Sequence, residues 1–89
     1  AAAVSRDWLE RDARRRGVAE RLARLNRRER EVLERVLEGK ANKIIAHELD
    51  LSIKTIEVYR AALMDKMQAG SVAELALLVA SHRDDAARG

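Results

Sequence analysis

Residues 42–67 read NKIIAHELDLSIKTIEVYRAALMDKM, and this segment has the layout of a helix-turn-helix. Its apolar residues recur at helical spacing over 42–49 and again over 53–67, with about three residues between the two predicted helices. Ser52 can cap the second helix. In a helix-turn-helix the second helix enters the major groove of DNA while the first lies across the backbone. Helical bundles without a DNA partner have the same spacing, so the pattern alone leaves both alternatives open.

Capping signals set the boundaries of the other helices. The predicted N-caps are Asn26, Asn42, Ser52 and Ser71. Glu29 and Glu74 complete capping boxes with the first and the last of these residues. Gly39 is expected to end the first helix, and the last helix is expected to run to about His82. No alternation of apolar and polar residues lasts long enough for a strand, so the sequence predicts an all-α fold: a four-helix bundle with a helix-turn-helix, preceded by an N-terminal linker helix.

Residues 1–24 are predicted to form that linker helix, and residues 25–89 the domain that follows it. The seam of the linker helix consists of Val4, Trp8, Arg11, Arg15, Val18, Leu22 and Leu25. Because two seam positions are Arg, two interpretations remain. The helix is either an exposed linker that packs only Leu22 and Leu25 on the core, or a helix that pairs with a second chain. The chain begins with Ala1, so we expect it to be a fragment of a longer protein.

The composition excludes several kinds of site. The 89 residues include no Cys, which rules out disulfides and thiolate metal sites. His47 and His82 are isolated, so we predict neither a metal site nor a cofactor. The sequence has no Gly-rich phosphate loop and no catalytic pattern of Ser, His and Asp, so we predict no enzymatic activity. No apolar run approaches the roughly 20 residues of a membrane span, and the net charge of +3 permits a nucleic-acid partner.

A helical wheel divides residues 53–67 into two faces. The inward face holds Ile56, Tyr59, Arg60, Leu63 and Met67, and the outward face holds Lys54, Glu57, Val58, Ala61 and Asp65. Base contacts are expected from Glu57, Val58 and Ala61. Glu57 can accept a hydrogen bond from cytosine N4, and the two small apolar side chains suit thymine methyl groups. Asp65 is a poor partner for DNA, so the turn of the helix that carries Asp65 is expected to lie outside the groove.

Phosphate contacts are expected near the N-termini of the two predicted helices, where unpaired N–H groups and the helix dipole favour anions. The candidates are Lys40, Lys43, Lys54, Thr55 and Arg60. Arg60 lies on the inward half of the wheel, so its stem can instead pack on the core while its head reaches water. Contacts of this kind position a protein on the duplex but do not specify a sequence.

The predicted last helix carries an apolar stripe. Its members are Val72, Leu75, Ala76 and Val79. Part of this stripe is needed for packing within the monomer. Leu77, Leu78 and Ala80 widen it beyond what a small bundle needs, so we expect the stripe to form a homodimer interface.

Three segments of the sequence resemble a known family. They are LNRREREVLERVLEGKANKIIAHEL at 25–49, LSIKTIEVYRAALMDKM at 51–67 and SVAEL at 71–75. Together they resemble the LuxR/FixJ-type helix-turn-helix domain over about residues 25–80, and residues 57–61 look most like the FixJ branch of two-component response regulators. The resemblance implies a cytoplasmic transcriptional output domain that binds promoter DNA as a dimer through its last helix. It also implies a phosphorylatable receiver domain upstream of residues 1–24, with RNA polymerase as a candidate further partner.

The family's DNA contacts can be carried over by position. They fall on Glu57, Val58 and Ala61 for bases and on Lys43, Lys54 and Thr55 for phosphates. This sequence departs from the family at Ile44, Ile53, Glu57, Tyr59 and Gly70. Because Glu57 stands where many relatives carry Lys, their base preference cannot be copied. Ile44 and Ile53 take positions that are usually polar, and they are either single exposed side chains or a surface for the receiver domain or the polymerase.

An interaction module that binds no DNA is the alternative function. Such a domain would pair through residues 4–25 and 71–80, and the two acids on the outward face, Glu57 and Asp65, favour it slightly. A salt titration on duplex DNA separates the two functions, because phosphate binding makes log K fall linearly with log salt.

Overall fold

The computed structural model describes the backbone of residues 17–88 and the side chains of residues 17–84. Within this range the chain is helical and contains no strand, which confirms the all-α prediction. The first helix, α1, covers residues 17–24, and the helices that follow are α2 (Arg27–Leu37), α3 (Asn42–Leu49), α4 (Ile53–Met67) and α5 (Val72–Arg88). None of the described helices is long and apolar enough to cross a membrane. The predictions for Val4, Trp8, Arg11 and Arg15 lie outside the described residues.

Helices α3 and α4 form a helix-turn-helix with the predicted boundaries. The chain reverses at Asp50, whose φ of 55° lies in the left-handed region that Asp tolerates better than most residues. The N–H of Leu51 then donates to the carbonyl of Ala46 at 2.9 Å. Ser52 caps α4 by accepting the N–H of Thr55 at 3.1 Å. These local bonds fold the chain back so that the apolar faces of both helices meet the same core.

The predicted capping box at the start of α2 is confirmed. The N–H of Glu29 donates to Oδ1 of Asn26 at 2.8 Å, and the N–H of Asn26 donates to Oε1 of Glu29 at 2.9 Å. Gly39 follows the end of α2 with a φ of 81°, a conformation that a residue with a Cβ atom adopts only at a cost. The prediction that Gly39 ends this helix is therefore also confirmed.

The prediction that Asn42 caps α3 is wrong. Asn42 is the first residue of α3, and Ala41 takes the N-cap position without a side-chain hydrogen bond. The physical reason is that the side chain of Asn42 is already engaged, because its Oδ1 accepts a hydrogen bond from Arg60.

Helix α5 differs from its prediction at both ends. Ser71 accepts the N–H of Glu74 at 3.1 Å, but the carboxylate of Glu74 binds the N–H of Gly70 at 3.0 Å, so the reciprocal half of the predicted box is displaced by one residue. The helix also runs to Arg88 and not to about His82. No Gly or Pro occurs between these two positions to stop it.

Helix α4 packs against both α2 and α3. The largest fully buried side chains of the fold are Val32, Leu33, Ile45, Ile56, Leu63, Met67, Leu75 and Val79. They come from α2, α3, α4 and α5. Burying one such side chain contributes about 1.5–3 kcal/mol. The stability of α4 therefore comes mostly from packing and not from intrinsic helix propensity, and the same packing fixes its orientation.

Candidate nucleic-acid interface

One face of α4 is left uncovered by the rest of the described domain. Lys54, Glu57, Val58 and Ala61 are exposed there, and Val58 is 62% exposed. Ile56, which lies between two of them in the sequence, is fully buried. The structure therefore divides α4 into the two faces that the wheel predicts. Packing of the buried face against the core holds the helix in place and so fixes the positions of the exposed side chains.

The N-terminal turn of α4 carries polar groups beside that face. The hydroxyls of Ser52 and Thr55 lie 2.8 Å apart, and Thr55 is half-buried. Either hydroxyl can be the donor of this bond, and when Ser52 donates, the single O–H of Thr55 is free to donate to a phosphate oxygen. Lys54 is exposed on the same turn.

The N-terminus of α3 keeps free donors. The carbonyl of Ala41 accepts the N–H groups of Ile44 and Ile45, both at 3.0 Å. The N–H groups of Asn42 and Lys43 precede them in the first turn, where an α-helix offers no internal acceptor. Because the Ala41 side chain cannot cap these donors, the turn retains the positive end of the helix dipole. With Lys43 exposed beside it, this turn has the chemistry that favours a phosphate.

Lys40 is occupied in a different way. Its Nζ lies 2.9 Å from Oε2 of Glu48 and 3.1 Å from a carboxylate oxygen of Glu38. The hydrogen bond to Glu48 raises the pKa of Lys40 most, and the hydrogen bond to Glu38 adds to this effect. Arg35 also binds the Glu48 carboxylate, at 2.9 Å, and so ties α2 to α3. A phosphate contact of Lys40 would require the ammonium group to leave two carboxylates, so these ion pairs compete with the predicted role, which stays a prediction.

Arg60 has a partner that neither sequence interpretation included. Its Nη1 donates to Oδ1 of Asn42 at 2.9 Å in a partly buried position. The guanidinium therefore neither packs passively nor faces free solvent, since it connects α4 to the first turn of α3. The bond to Asn42 competes with the predicted phosphate contact of Arg60, which stays a prediction because the guanidinium has four further N–H donors.

Glu29 and Lys66 connect α2 to the last turn of α4. Lys66 Nζ lies 2.7 Å from Oε1 of Glu29, which is only 2% exposed. Burial raises the pKa of Glu29, but the hydrogen bonds from Lys66 and from the N–H of Asn26 outweigh burial and hold that pKa below its ordinary value of 4.5. The sequence identifies Glu29 as a capping residue, but it gives no signal for a partner 37 residues away.

The apolar stripe of α5 lies mostly inside the monomer. Leu75 and Val79 are 0% and 1% exposed, and Val72 and Ala76 are half-buried. The side chains of Leu75 and Val79 fill the core of the monomer, which competes with the dimer contact predicted for them, and the predicted interface stays a prediction. Among the side chains of α5 that the structure describes, residues 72–84, the exposed apolar ones form an outer stripe that consists of Ala73, Leu77 and Ala80, in which Leu77 is 71% exposed.

The remaining candidate residues lie singly on the surface or at its edge. Tyr59 is half-buried and packs against the core. Ile44 and Ile53 are 48% and 46% exposed. His47 is exposed, and no group of His, Asp and Glu in the described part of the chain is arranged to hold a metal ion.

Comparison with known proteins identifies the family. Residues 23–79 match the model for bacterial regulatory proteins of the luxR family. The chain belongs to the luxR family of bacterial regulatory proteins. This match confirms the resemblance derived from the three sequence segments and makes α3 and α4 a LuxR-type helix-turn-helix. The domain is a sequence-specific DNA-binding domain of the kind that forms the output domain of response regulators.

Relatives of this LuxR-type domain include two transcriptional regulatory proteins named FixJ. The chain is 54% identical over 61 residues to the transcriptional regulatory protein FixJ of Bradyrhizobium diazoefficiens, in a match that covers 68% of this chain and 30% of FixJ. It is 53% identical over 58 residues to FixJ of Azorhizobium caulinodans, which covers 65% of this chain and 28% of that protein.

A solved structure supports the same assignment. The crystal structure of full-length FixJ from B. japonicum superposes with a TM-score of 0.69 at 48% sequence identity, over 79% of this chain and 34% of that one. The LuxR-type domain thus spans about a third of the length of these relatives. Its family match also begins at residue 23, so most of α1 lies before the matched region.

Proposed function

We propose that this LuxR-type domain is the DNA-reading part of a two-component transcriptional regulator and that the exposed face of α4 enters the major groove of promoter DNA. The observation that carries this proposal is the exposure of Glu57, Val58 and Ala61 on a helix whose opposite face is fully buried. A helix held from behind in this way presents its side chains to base edges in a fixed geometry.

Base selection falls to three side chains of α4. Glu57 has only acceptor atoms when ionised, and cytosine N4 is the matching donor in the major groove. Val58 and Ala61 add small apolar surfaces that suit thymine methyl groups. A carboxylate at this position is repelled by phosphates, so Glu57 tolerates close approach only where it faces a base.

Phosphate binding is assigned to both helix N-termini. Lys43 and the first turn of α3 would bind one part of the backbone, and Lys54 and Thr55 would bind another. Both lysines are exposed, and within the described residues neither takes part in an ion pair. These contacts set the register of α4 on the duplex without selecting bases.

Pairing on DNA is assigned to the outer stripe of α5. Two copies bound to half-sites one helical turn, about 34 Å, apart need a shared surface. Ala73, Leu77 and Ala80 are the exposed apolar residues that can supply it. This homodimer uses Leu77 and Ala80, which widen the stripe expected from sequence, together with Ala73.

The longer protein would add further partners. We place a receiver domain before residues 1–24 and the regulator in the cytoplasm, where promoter DNA is found. Contact with RNA polymerase would use exposed apolar side chains, of which Ile44 and Ile53 lie on the helix-turn-helix itself. In this arrangement the domain binds DNA and performs no catalysis.

The test is selection of bound duplexes from a random-sequence pool, carried out in parallel with three forms of the chain. The unmodified chain should yield one motif, and Glu57→Gln should change the preferred base at one position by about 1–3 kcal/mol. Glu20→Gln removes the same charge from an exposed site on α1 and should return the unmodified motif. Identical motifs from all three forms would contradict the assignment of Glu57 to a base.

The alternative from sequence was an interaction module that binds no DNA, favoured by the two exposed acids Glu57 and Asp65 on α4, and the family match supports DNA binding instead. Such a module predicts no binding to any duplex, and hence no linear dependence of log K on log salt. A salt titration with the unmodified chain therefore measures the phosphate contribution to DNA binding directly.

A further inference from the structure

Helix α1 is packed into the core of the domain, although most of it lies before the family match at residue 23. Val18 and Leu25 are each 3% exposed, and Leu22 packs against the same cluster. Sequence reasoning included only Leu22 and Leu25 as packing residues, so the burial of Val18 extends the core by about one further turn of helix.

Arg21 extends this contact to the end of α4. Its Nη1 donates to the carbonyl of Met67 at 3.2 Å, across 46 residues of sequence. Met67 is the last residue of α4 and is fully buried. The last carbonyls of an α-helix have no partner within the helix, and a cation is favoured there by the negative end of the helix dipole.

The local turn after α4 does not supply a donor for that carbonyl. The N–H of Gln68 donates to Asp65, and the N–H of Ala69 donates to Met64, both at 3.0 Å. These bonds satisfy carbonyls further back in α4. The hydrogen bond to the carbonyl of Met67 therefore comes from Arg21, on a different helix.

Helix α2 holds the other side of α1. Arg30 Nη2 donates to the carbonyl of Leu22 at 3.3 Å, directly after the residue that reaches α4. The end of α1 is thus fixed to α2 through the backbone carbonyl of Leu22 and to α4 through the side chain of Arg21. A displacement of α1 would act on α4 through this connection.

We infer that residues 17–22 belong to the DNA-reading unit and that Arg21 is a positioning residue for α4. Arg21 binds no DNA. It fixes the C-terminal end of the helix whose other turns face the bases, and it makes the position of that helix depend on α1. The part of this inference that concerns DNA rests on the proposed function, whereas the hold on α4 does not.

The experiment compares four full-length forms of this chain. Arg21→Met keeps the apolar stem and removes the donor, and Arg21→Lys keeps a cationic donor. Arg24→Met removes the same charge from an exposed position one turn further along α1. Two quantities are measured: amide hydrogen exchange of Gln68 and Ala69 in the free chain, and affinity with its salt dependence for a duplex selected by the unmodified chain from a random pool.

Arg21→Met should accelerate exchange of these two amides by about two- to tenfold, the equivalent of one net hydrogen bond. It should weaken DNA binding by a similar factor beyond the loss that Arg24→Met causes, with the same salt slope as Arg24→Met. Arg21→Lys should restore most of both properties, which a purely steric role would not allow.

Unchanged exchange in Arg21→Met would overturn the hold on α4. Equal losses of affinity in Arg21→Met and Arg24→Met would reduce the effect on DNA to net charge and overturn the positioning role. If the unmodified chain bound no duplex, the proposed function would fail together with the DNA part of the inference, and amide exchange would still decide whether Arg21 holds the end of α4.

Discussion

Arg60 donates a hydrogen bond from Nη1 to Oδ1 of Asn42 at 2.9 Å, and so joins the middle of α4 to the first turn of α3. This bond connects the helix that carries the proposed base contacts to the turn that carries Lys43. The spacing between the proposed base contacts of α4 and the proposed phosphate contact of Lys43 therefore depends on the bond between Arg60 and Asn42. In this proposal neither Arg60 nor Asn42 binds DNA. Fixing the two helices relative to each other is what gives a helix-turn-helix its register on DNA.

Breaking this pair should weaken DNA binding without removing a phosphate contact. We expect Arg60→Met and Asn42→Ala each to lower affinity for the selected duplex, and the double variant to lose less than the sum of the two, with a coupling energy of about 0.5–3 kcal/mol. The salt slope should be unchanged in Arg60→Met. A slope reduced by about 1, as for a lost phosphate contact, would show that Arg60 leaves Asn42 to bind DNA.

Lys43 and Lys40 form a matched pair of variants on either side of Ala41. Lys43→Gln should weaken binding to all duplexes by a similar factor and reduce the salt slope by about 1, because Lys43 is exposed at the first turn of α3. Lys40→Gln should leave the slope unchanged, because Glu48 and Glu38 hold that ammonium group. Titration of duplex binding against salt measures both, and equal slopes in the two variants would refute the distinction.

The stability of the domain should depend on the ionisation of Glu29. Its pKa lies below the ordinary value of 4.5 in the folded state, so the charged form stabilises the fold above that pH. This contribution should disappear as the pH falls through the lower, folded-state value. Urea unfolding between pH 7 and pH 3 should therefore show a loss of stability that Glu29→Gln reduces.

The controls for Glu29 separate the cap from the ion pair. Gln can still complete a capping box, so Glu29→Gln should cost only about 1–2 kcal/mol at pH 7. Lys66→Met should reduce the dependence on pH, and Lys54→Met, on the exposed face of the same helix, should not. A dependence on pH that is as large in Glu29→Gln as in the unmodified chain would assign it to other carboxylates, of which Glu48 also has a lowered pKa.

The two stripes of α5 should respond differently to a charge. Leu77→Asp should leave folding intact and reduce cooperative binding to duplexes with two half-sites, since Leu77 is 71% exposed. Leu75→Asp should destabilise the monomer by about 3–5 kcal/mol, the cost of an unpaired buried charge. Ala23→Asp adds the same charge at an exposed position on α1 and controls for net charge. Cooperativity equal to that of Ala23→Asp would exclude the outer stripe from the dimer.

Much of the local structure follows from sequence because its causes are local. The capping box of Asn26 and Glu29, the turn at Gly39 and the cap at Ser52 each depend on residues within three or four positions of one another. The exposed face of α4 follows equally well, since helical periodicity alone separates Val58 from Ile56. The family resemblance rests on the same local segments and agrees with the matched region, residues 23–79.

The partners of the long polar side chains were decided by the tertiary structure alone. Arg60 reaches Asn42 across 18 residues, Lys66 reaches Glu29 across 37, and Arg21 reaches Met67 across 46. A flexible side chain can bind any acceptor that packing brings within its reach, and no local pattern specifies which acceptor that is. The sequence therefore determined which faces of the helices are apolar and where the helices begin, whereas packing determined which of those faces the monomer uses itself and which cations remain free for DNA.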